Sequence, residues 1–321
     1  MRRLVVMGVV GVVALVLTAL VAVTVLRDGG APDGNPFEEA LPAVDPGSAA
    51  ARAAASATPL DRPVLQRLAA VPTAVWLVPE ALGVDQVGAR VEEVVATARS
   101  QERVPLLVVY GVPARDCVAG ESAGGLADAA AYEEWIDAIA ASAAGSAVVL
   151  EPDALATADE CGIASERQAL LRRAAAVLAG EGVWVYVDAG HSDWVDPSRM
   201  AELIRGVGPE HLRGFAVNVA AFGTDADERA YAEAVRSVLG GSLAYVVDTG
   251  RNGNGPAGPG DFCNPQGRAL GREPQPGDGS LDAWLWVKPP GESDGSCGGG
   301  PPAGQFWVAG ALDLASAAGW R

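Results

Sequence analysis

The chain reads as α/β, a distorted parallel (β/α) barrel of about seven strands. Three observations predict it. Short Val-rich apolar runs recur along the chain, each followed by a stretch with helical spacing. Runs this apolar suit strands buried on both faces, and alternating β and α units imply a parallel sheet. Carboxylates close or follow several runs, at Asp116, Asp153 and Asp294. In such barrels the site forms at the C-terminal ends of the strands. No G-x-G-x-x-G follows the early strands, and neither a P-loop nor a G-x-S-x-G elbow is present, which removes the main support for an open dinucleotide-binding sheet.

Taken in order, Met1-Arg2-Arg3 precedes an uncharged apolar run, 4–26. Its length suits a bilayer-spanning helix of about 20 residues. No A-x-A-like cleavage site stands before Arg27. Residues 1–26 are therefore expected to be an uncleaved signal-anchor, with a cleaved signal as the alternative. Arg2 and Arg3 would stay cytoplasmic and the remainder would be exported. Residues 27–46, rich in Gly, Pro, Asp and Ala, read as a tether, and 47–321 as one folded domain.

Within that domain the expected strands are 74–78, 104–110, 147–151, 183–187, 214–219, 243–247 and 283–287. Ala-rich 49–57 suggests a short helix. Val84, Val87, Val91, Val94 and Ala98 form one helical stripe. Tyr132, Trp135, Ile136 and Ile139 form a second, and Leu170, Leu171, Ala174 and Leu178 a third. Asp196-Pro197 reads as an N-cap followed by Pro at the first helical position. Ala230, Ala234, Val235 and Val238 continue the series, and 305–318 is the last helix. The Gly- and Pro-dense stretch 249–279 is long enough to suggest a working loop.

The formal net charge of -17 argues against nucleic acid or an anionic membrane surface as partner. The cysteines are Cys117, Cys161, Cys263 and Cys297, with no C-x-x-C and two His in the chain, so no zinc pattern is met. An exported chain favours disulfides, and four cysteines allow three pairings. Local pairing, Cys117–Cys161 and Cys263–Cys297, would tie down the loops beside the acidic residues. Each acid also has a plain structural reading. Asp153 could cap a helix, Asp116 could pair with Arg115, and Asp294 could sit in a turn before Gly295.

Collinear blocks resemble glycoside hydrolase family 6. They are Val108-Val109-Tyr110 through Arg115-Asp116-Cys117, Glu151-Pro152-Asp153, Asp188 through Trp194, Asn218-Val219, Asp248 through Pro256, Cys263-Asn264, and Trp286-Val287-Lys288 through Asp294. The resemblance implies an inverting β-1,4-glucanase on a distorted, TIM-like barrel, with no metal or organic cofactor. It implies that Asp153 is the general acid and that Asp116 raises its pKa. Tyr110 would crowd the distorted sugar ring and Ser122 would hold a water chain. Arg115 and Asp188 would set the charge of the carboxyl cluster. Asp294 stands where the base is often placed, activation through a water chain being the alternative. Trp76, Trp194, Asn218, Phe262, Lys288 and Glu292 would touch substrate.

The resemblance also bears on the mode of cleavage: cellobiohydrolases of that family have a long tunnel-roofing loop where the stretch from Asp294 to Cys297 is short here, which implies an open cleft and endo-cleavage. The expected substrate is β-1,4-glucan, the expected state a monomeric catalytic domain, and the expected membrane contact residues 4–26. The alternatives are a cellobiohydrolase, another β-glucanase of the family, or a tethered glycan-binding module without turnover.

Overall fold

A computed structural model describes residues 32–320, apart from 119, 121 and 259. The proposed anchor 1–26 lies outside the described residues. Among the described residues no helix is long and apolar enough to cross a membrane.

Seven strands run parallel: β1 Val75–Leu77, β2 Leu106–Val109, β3 Ala147–Leu150, β4 Trp184–Asp188, β5 Gly214–Val217, β6 Ala244–Asp248 and β8 Leu281–Leu285. All seven coincide with expected runs. A two-residue strand, β7 Gln275–Pro276, adds an antiparallel edge on β8. The sheet order is β1-β2-β3-β4-β5-β6-β8-β7. β1 is not laddered to β8, and the seam between them is bridged by Ala74 N–H to the Trp286 carbonyl at 3.0 Å and by the Trp76 indole N–H to the Val287 carbonyl at 2.8 Å. The barrel is thus curled but distorted at one seam.

The period-2 alternation of strand side chains sorts the core into two layers. Leu106, Val108, Val149, Tyr186, Ala216, Val246 and Leu285 fill the barrel interior. Leu107, Val109, Val148, Val187, Phe215, Val217 and Val247 face the helices. Those helices are α3 Val84–Ser100, α4 Ala129–Ala140, α5 Ala164–Gly180, α6 Pro197–Val207 and α7 Asp225–Val238. Asp196 caps α6 by accepting from Ser198 N–H, ahead of Pro197. A third cluster covers the seam, where α1 Ala49–Ser56, α2 Arg62–Ala69 and α8 Val308–Ala317 pack around Trp286.

Two expectations change. The buried stripe of α7 is Glu228, Tyr231, Ala232 and Val235, while Ala230 and Val238 are exposed. Alanine satisfies either face, so the larger Tyr231 decides the rotation. The stretch 27–46 is not a free tether along its described length. Phe37 is fully buried and stacks on Tyr186, the Asn35 amide donates to the Asp282 carbonyl, and Pro42 bridges Val104. Phe37 therefore plugs the barrel's N-terminal end, and one buried aromatic outweighs a linker-like composition.

Candidate active site

The C-terminal ends of the strands carry the acidic residues on strained backbone. Asp116 (φ 54°), Cys117 (52°), Glu151 (51°), Asp153 (68°) and Asn218 (64°) all lie in the left-handed region. For residues with a Cβ this conformation is unfavourable, and it persists where surrounding contacts over-determine it.

After β2 the chain turns through Ala114 and Asp116. The buried Arg115 organises this loop. Its Nη1 donates to the Tyr110 carbonyl and its Nε to the Ser122 carbonyl, both at 2.7 Å, and its Nη2 to Glu80 at 3.0 Å. Its guanidinium also lies 4.2 Å over the Tyr110 ring. Ser122 N–H and the Tyr110 hydroxyl favour the charged form of the Asp116 carboxylate. Burial raises the Asp116 pKa, opposed by Arg115. Tyr110 packs edge-on to Trp76 at 5.2 Å. Cys117 is joined to Cys161 and pins the loop beyond Asp116.

After β3, Glu151 is fully buried and accepts from Gly111 N–H and Val112 N–H at 3.0 Å. Burial lifts its pKa to about 7 against those donors. It therefore anchors the β2 loop rather than facing solvent. Asp153 keeps partial exposure. Its backbone N–H donates to Asp188 Oδ2 at 2.9 Å, and Gly190 N–H donates to the same oxygen at 3.1 Å. The other Asp188 oxygen, Oδ1, is buried without a hydrogen-bond partner among the described residues.

Burial pushes both carboxyls up, and for Asp153 the charges of Asp188, Asp116 and Asp294 add to this while Lys288 opposes. Two backbone donors favour the charged form of Asp188. The pair can therefore hold one proton, on Asp153, beside an anionic Asp188.

The far wall comes from the loops after β5, β6 and β8. Asp248 Oδ1 accepts from Gly250 N–H and Val287 N–H, and its Oδ2 from Lys288 N–H and Ala220 N–H. One buried carboxylate thus fastens three loops. Arg251 Nη1 meets both Asp294 oxygens at 2.8 Å, and Asn264 N–H adds a third donor to Asp294 at 3.1 Å. Asp294 N–H returns a bond to Asn264 Oδ1 at 3.0 Å. The Cys263–Cys297 disulfide closes the same junction. Both cysteine pairs match the expected local pairing. Lys288 Nζ lies 5.2 Å from the Trp76 ring and 4.0 Å from Glu292. Burial raises the Glu292 pKa, opposed by Lys288.

One cluster therefore brings together Asp116, Asp153, Asp188, Asp294, Tyr110, Arg115, Ser122, Lys288, Glu292 and Trp76. Trp194 stands on the loop after β4, half-buried beside His191 at 5.4 Å. Phe262 is 67% exposed beside Cys263, on the rim. Asn218 is a correction. It is fully buried, its amide donates to the Asp248 and Gly223 carbonyls, and its Oδ1 accepts from Gly223 N–H. Buried and turned into the loop, its side chain shapes that loop rather than facing the cleft.

Asp248, Arg251, Glu80 and Asn264 had no assigned role in the sequence reading. Asp248, Arg251 and Asn264 stood in family-like blocks, which was the available signal. Among the described residues no group of three or more His, Cys, Asp or Glu is arranged to hold a metal ion.

The comparisons with known proteins agree with this geometry. Endoglucanase A of Cellulomonas fimi is 42% identical over 280 residues, covering 86% of this chain and 61% of that protein. The chain thus spans about three fifths of that relative's length. The structure of the endoglucanase Cel6 from Mycobacterium tuberculosis, in complex with methyl-cellobiosyl-4-deoxy-4-thio-beta-D-cellobioside, is similar at TM-score 0.83 and 41% identity, covering 89% of this chain and all of that one. The catalytic core of the cellobiohydrolase Cel6A from Chaetomium thermophilum is similar at TM-score 0.77 and 28% identity, covering 89% of this chain and 99% of that one. The profile of Glycosyl hydrolases family 6 matches residues 41–318, and the chain belongs to that family.

Proposed function

We propose that this protein is an endo-β-1,4-glucanase that hydrolyses its substrate with inversion at the anomeric carbon. The observation that carries the reading is the Asp153–Asp188 pair, with Asp188 bonded to the Asp153 backbone at a partly accessible strand end, a crowding of carboxyls that favours one of them keeping a proton. Asp153 donates that proton to the glycosidic oxygen as the bond breaks. Asp188 holds the Asp153 backbone and keeps its carboxyl neutral. Asp116, whose charged form Tyr110 and Ser122 favour, stabilises positive charge on the reacting ring. Trp76 offers an aromatic face to a pyranose, with Lys288 and Glu292 beside it to bond hydroxyls. Trp194 and Phe262 extend the apolar surface toward the rim.

Inversion requires water on the face opposite the acid. Asp294 stands with the cluster, but its two oxygens already accept two bonds from Arg251 and one from Asn264, which leaves little free lone-pair capacity to take a proton from water. This favours activation of the water through a hydrogen-bonded chain, with Ser122 and Asp116 at its protein end and Asp294 acting chiefly as fixed charge.

Endo-cleavage is supported by the short stretch between Asp294 and Cys297 and by the names of the nearer relatives. Proteins called endoglucanases match at 40–42% identity, whereas those called cellobiohydrolases or exoglucanases match at 32–34%. We further propose that 47–321 is the hydrolase domain, working as a monomer without cofactor and extended at its start by the packed residues from Asn35 on. Residues 4–26 would hold it outside the cytoplasmic membrane, a placement in keeping with two disulfides.

Viscosity loss and reducing-sugar release on carboxymethylcellulose test the activity, and proton NMR of the first-formed product tests the stereochemistry. Fast viscosity loss and an α-anomeric product are expected. Binding of glucan without cleavage would instead indicate a tethered binding module. Carbonate extraction of membranes tests the anchor, which predicts that the protein stays in the pellet.

A further inference from the structure

We propose that Glu80, which lies outside the reacting cluster, is a positioning residue that holds the Asp116 loop in its working geometry through Arg115. The inference rests on the hydrolytic reading above. Glu80 sits on the connection from β1 to α3, and its Oε1 accepts two bonds, from Arg115 Nη2 at 3.0 Å and from Gly125 N–H at 2.9 Å. Arg115 and Gly124 form an antiparallel bridge, with Arg115 N–H donating to the Gly124 carbonyl at 3.2 Å. Residues 115 and 124–125 are thus the two sides of a loop neck, and Glu80 grips both.

The neck is closely fitted to that carboxylate. A Cβ at Gly124 would stand 2.3 Å from Glu80 Oε1 and 2.9 Å from Arg115 Nη2, so any larger residue there would have to push this ion pair aside. From the neck, contacts lead directly to the cluster. Arg115 bonds the carbonyls of Tyr110 and Ser122 and covers the Tyr110 ring, and both residues favour the charged form of the Asp116 carboxylate. The loop is also pinned by Cys117–Cys161, two residues past Arg115. Without Glu80 the loop would keep that disulfide and the Arg115–Gly124 backbone bond, but lose the one side chain that grips both sides of the neck. Partial burial works upward on the Glu80 carboxyl, but Gly125 and Arg115 hold it below the usual range, so it is an anion wherever the enzyme would work.

Glu80 is about half exposed, and ion pairs of that kind contribute little to stability. A merely structural role therefore predicts small effects throughout. A positioning role predicts a selective loss of turnover. The test compares Glu80→Ala and Glu80→Gln with wild type in the full chain, reading kcat and KM on carboxymethylcellulose and amide hydrogen exchange at Gly125. Glu80→Ala should lower kcat by about tenfold, in keeping with the cost of misplaced catalytic groups, while KM stays within about twofold and Gly125 exchange accelerates.

Glu80→Gln keeps an acceptor for Gly125 but loses the charge toward Arg115, so it should recover part of the turnover and most of the Gly125 protection. An unchanged kcat despite faster Gly125 exchange would overturn the proposal. So would unchanged exchange, or a loss seen in KM alone. Should wild type prove inert on glucan, the hydrolytic reading falls separately, and Gly125 exchange still decides whether Glu80 holds the neck.

Discussion

The two ends of the barrel both bury aspartates, and they treat them in opposite ways. At the N-terminal end Asp282 is 2% exposed and receives Arg213 Nε at 2.8 Å, Arg213 Nη2 at 2.7 Å and the Tyr186 hydroxyl at 2.6 Å. Phe37 closes that end over Tyr186. At the C-terminal end Asp153 and Asp188 are placed together with backbone N–H groups but no guanidinium, and Asp116 and Asp294 add negative charge. A paired carboxylate is inert because its charge is already satisfied. A carboxyl crowded by its own kind must keep a proton, and a held proton can be given away. Burial alone does not mark the working acid; the sign of its neighbours does.

Substitutions can break this contrast at either end. Asp153→Asn should have the largest effect, lowering kcat on carboxymethylcellulose by about 10³-fold, within the range for removal of a general acid. The melting temperature should hold or rise, because an uncomfortable carboxyl is gone. Asp282→Asn at the opposite end should do the reverse. It leaves Arg213 partly buried without its counter-charge, so unfolding in urea should show a loss of about 3 kcal/mol. Activity per folded molecule should be preserved.

Loss of the Cys263–Cys297 bond, in a Cys263→Ser/Cys297→Ser variant, should cost about 3 kcal/mol. It should reduce turnover only modestly, since Asn264 and Arg251 still hold Asp294.

The smallest effect sharpens the comparison through pH. Glu228 is fully buried on α7, accepts from the Ser192 hydroxyl at 2.7 Å, and is lifted by burial to about 7. A carboxyl whose folded pKa is raised binds more protons folded than unfolded between the two values. Stability therefore falls as pH rises from about 4.3, the unfolded value, toward 7. Glu228→Gln should flatten the decline of melting temperature across that window, as scanning calorimetry at several pH values would show.

Much of this was legible in the chain. Seven Val-rich runs became seven parallel strands because a strand buried on both faces must be apolar throughout. Asp116, Asp153 and Asp294 stood out because a charged residue closing or following such a run has few structural reasons to be there, while Asp188 came from the family resemblance. What escaped notice depends on partners distant in sequence. Asp248 gains its meaning from Lys288 N–H, 40 residues on, and Glu80 from Arg115, 35 residues on. Asn218 stood in a family-like block, yet its amide turned inward because the backbone of its own loop needed partners. Phe37 was hidden by the Gly and Pro around it.

The central claim is that Asp153 acts by delivering a proton to the leaving oxygen. Its most direct test compares wild type and Asp153→Asn on two substrates, carboxymethylcellulose and a 2,4-dinitrophenyl β-cellobioside whose leaving group departs without protonation. The account predicts that the variant loses about 10³-fold on the polysaccharide and little on the activated glycoside. Equal losses on both substrates would contradict it, because Asp153 would then serve the reaction in some way other than as its acid.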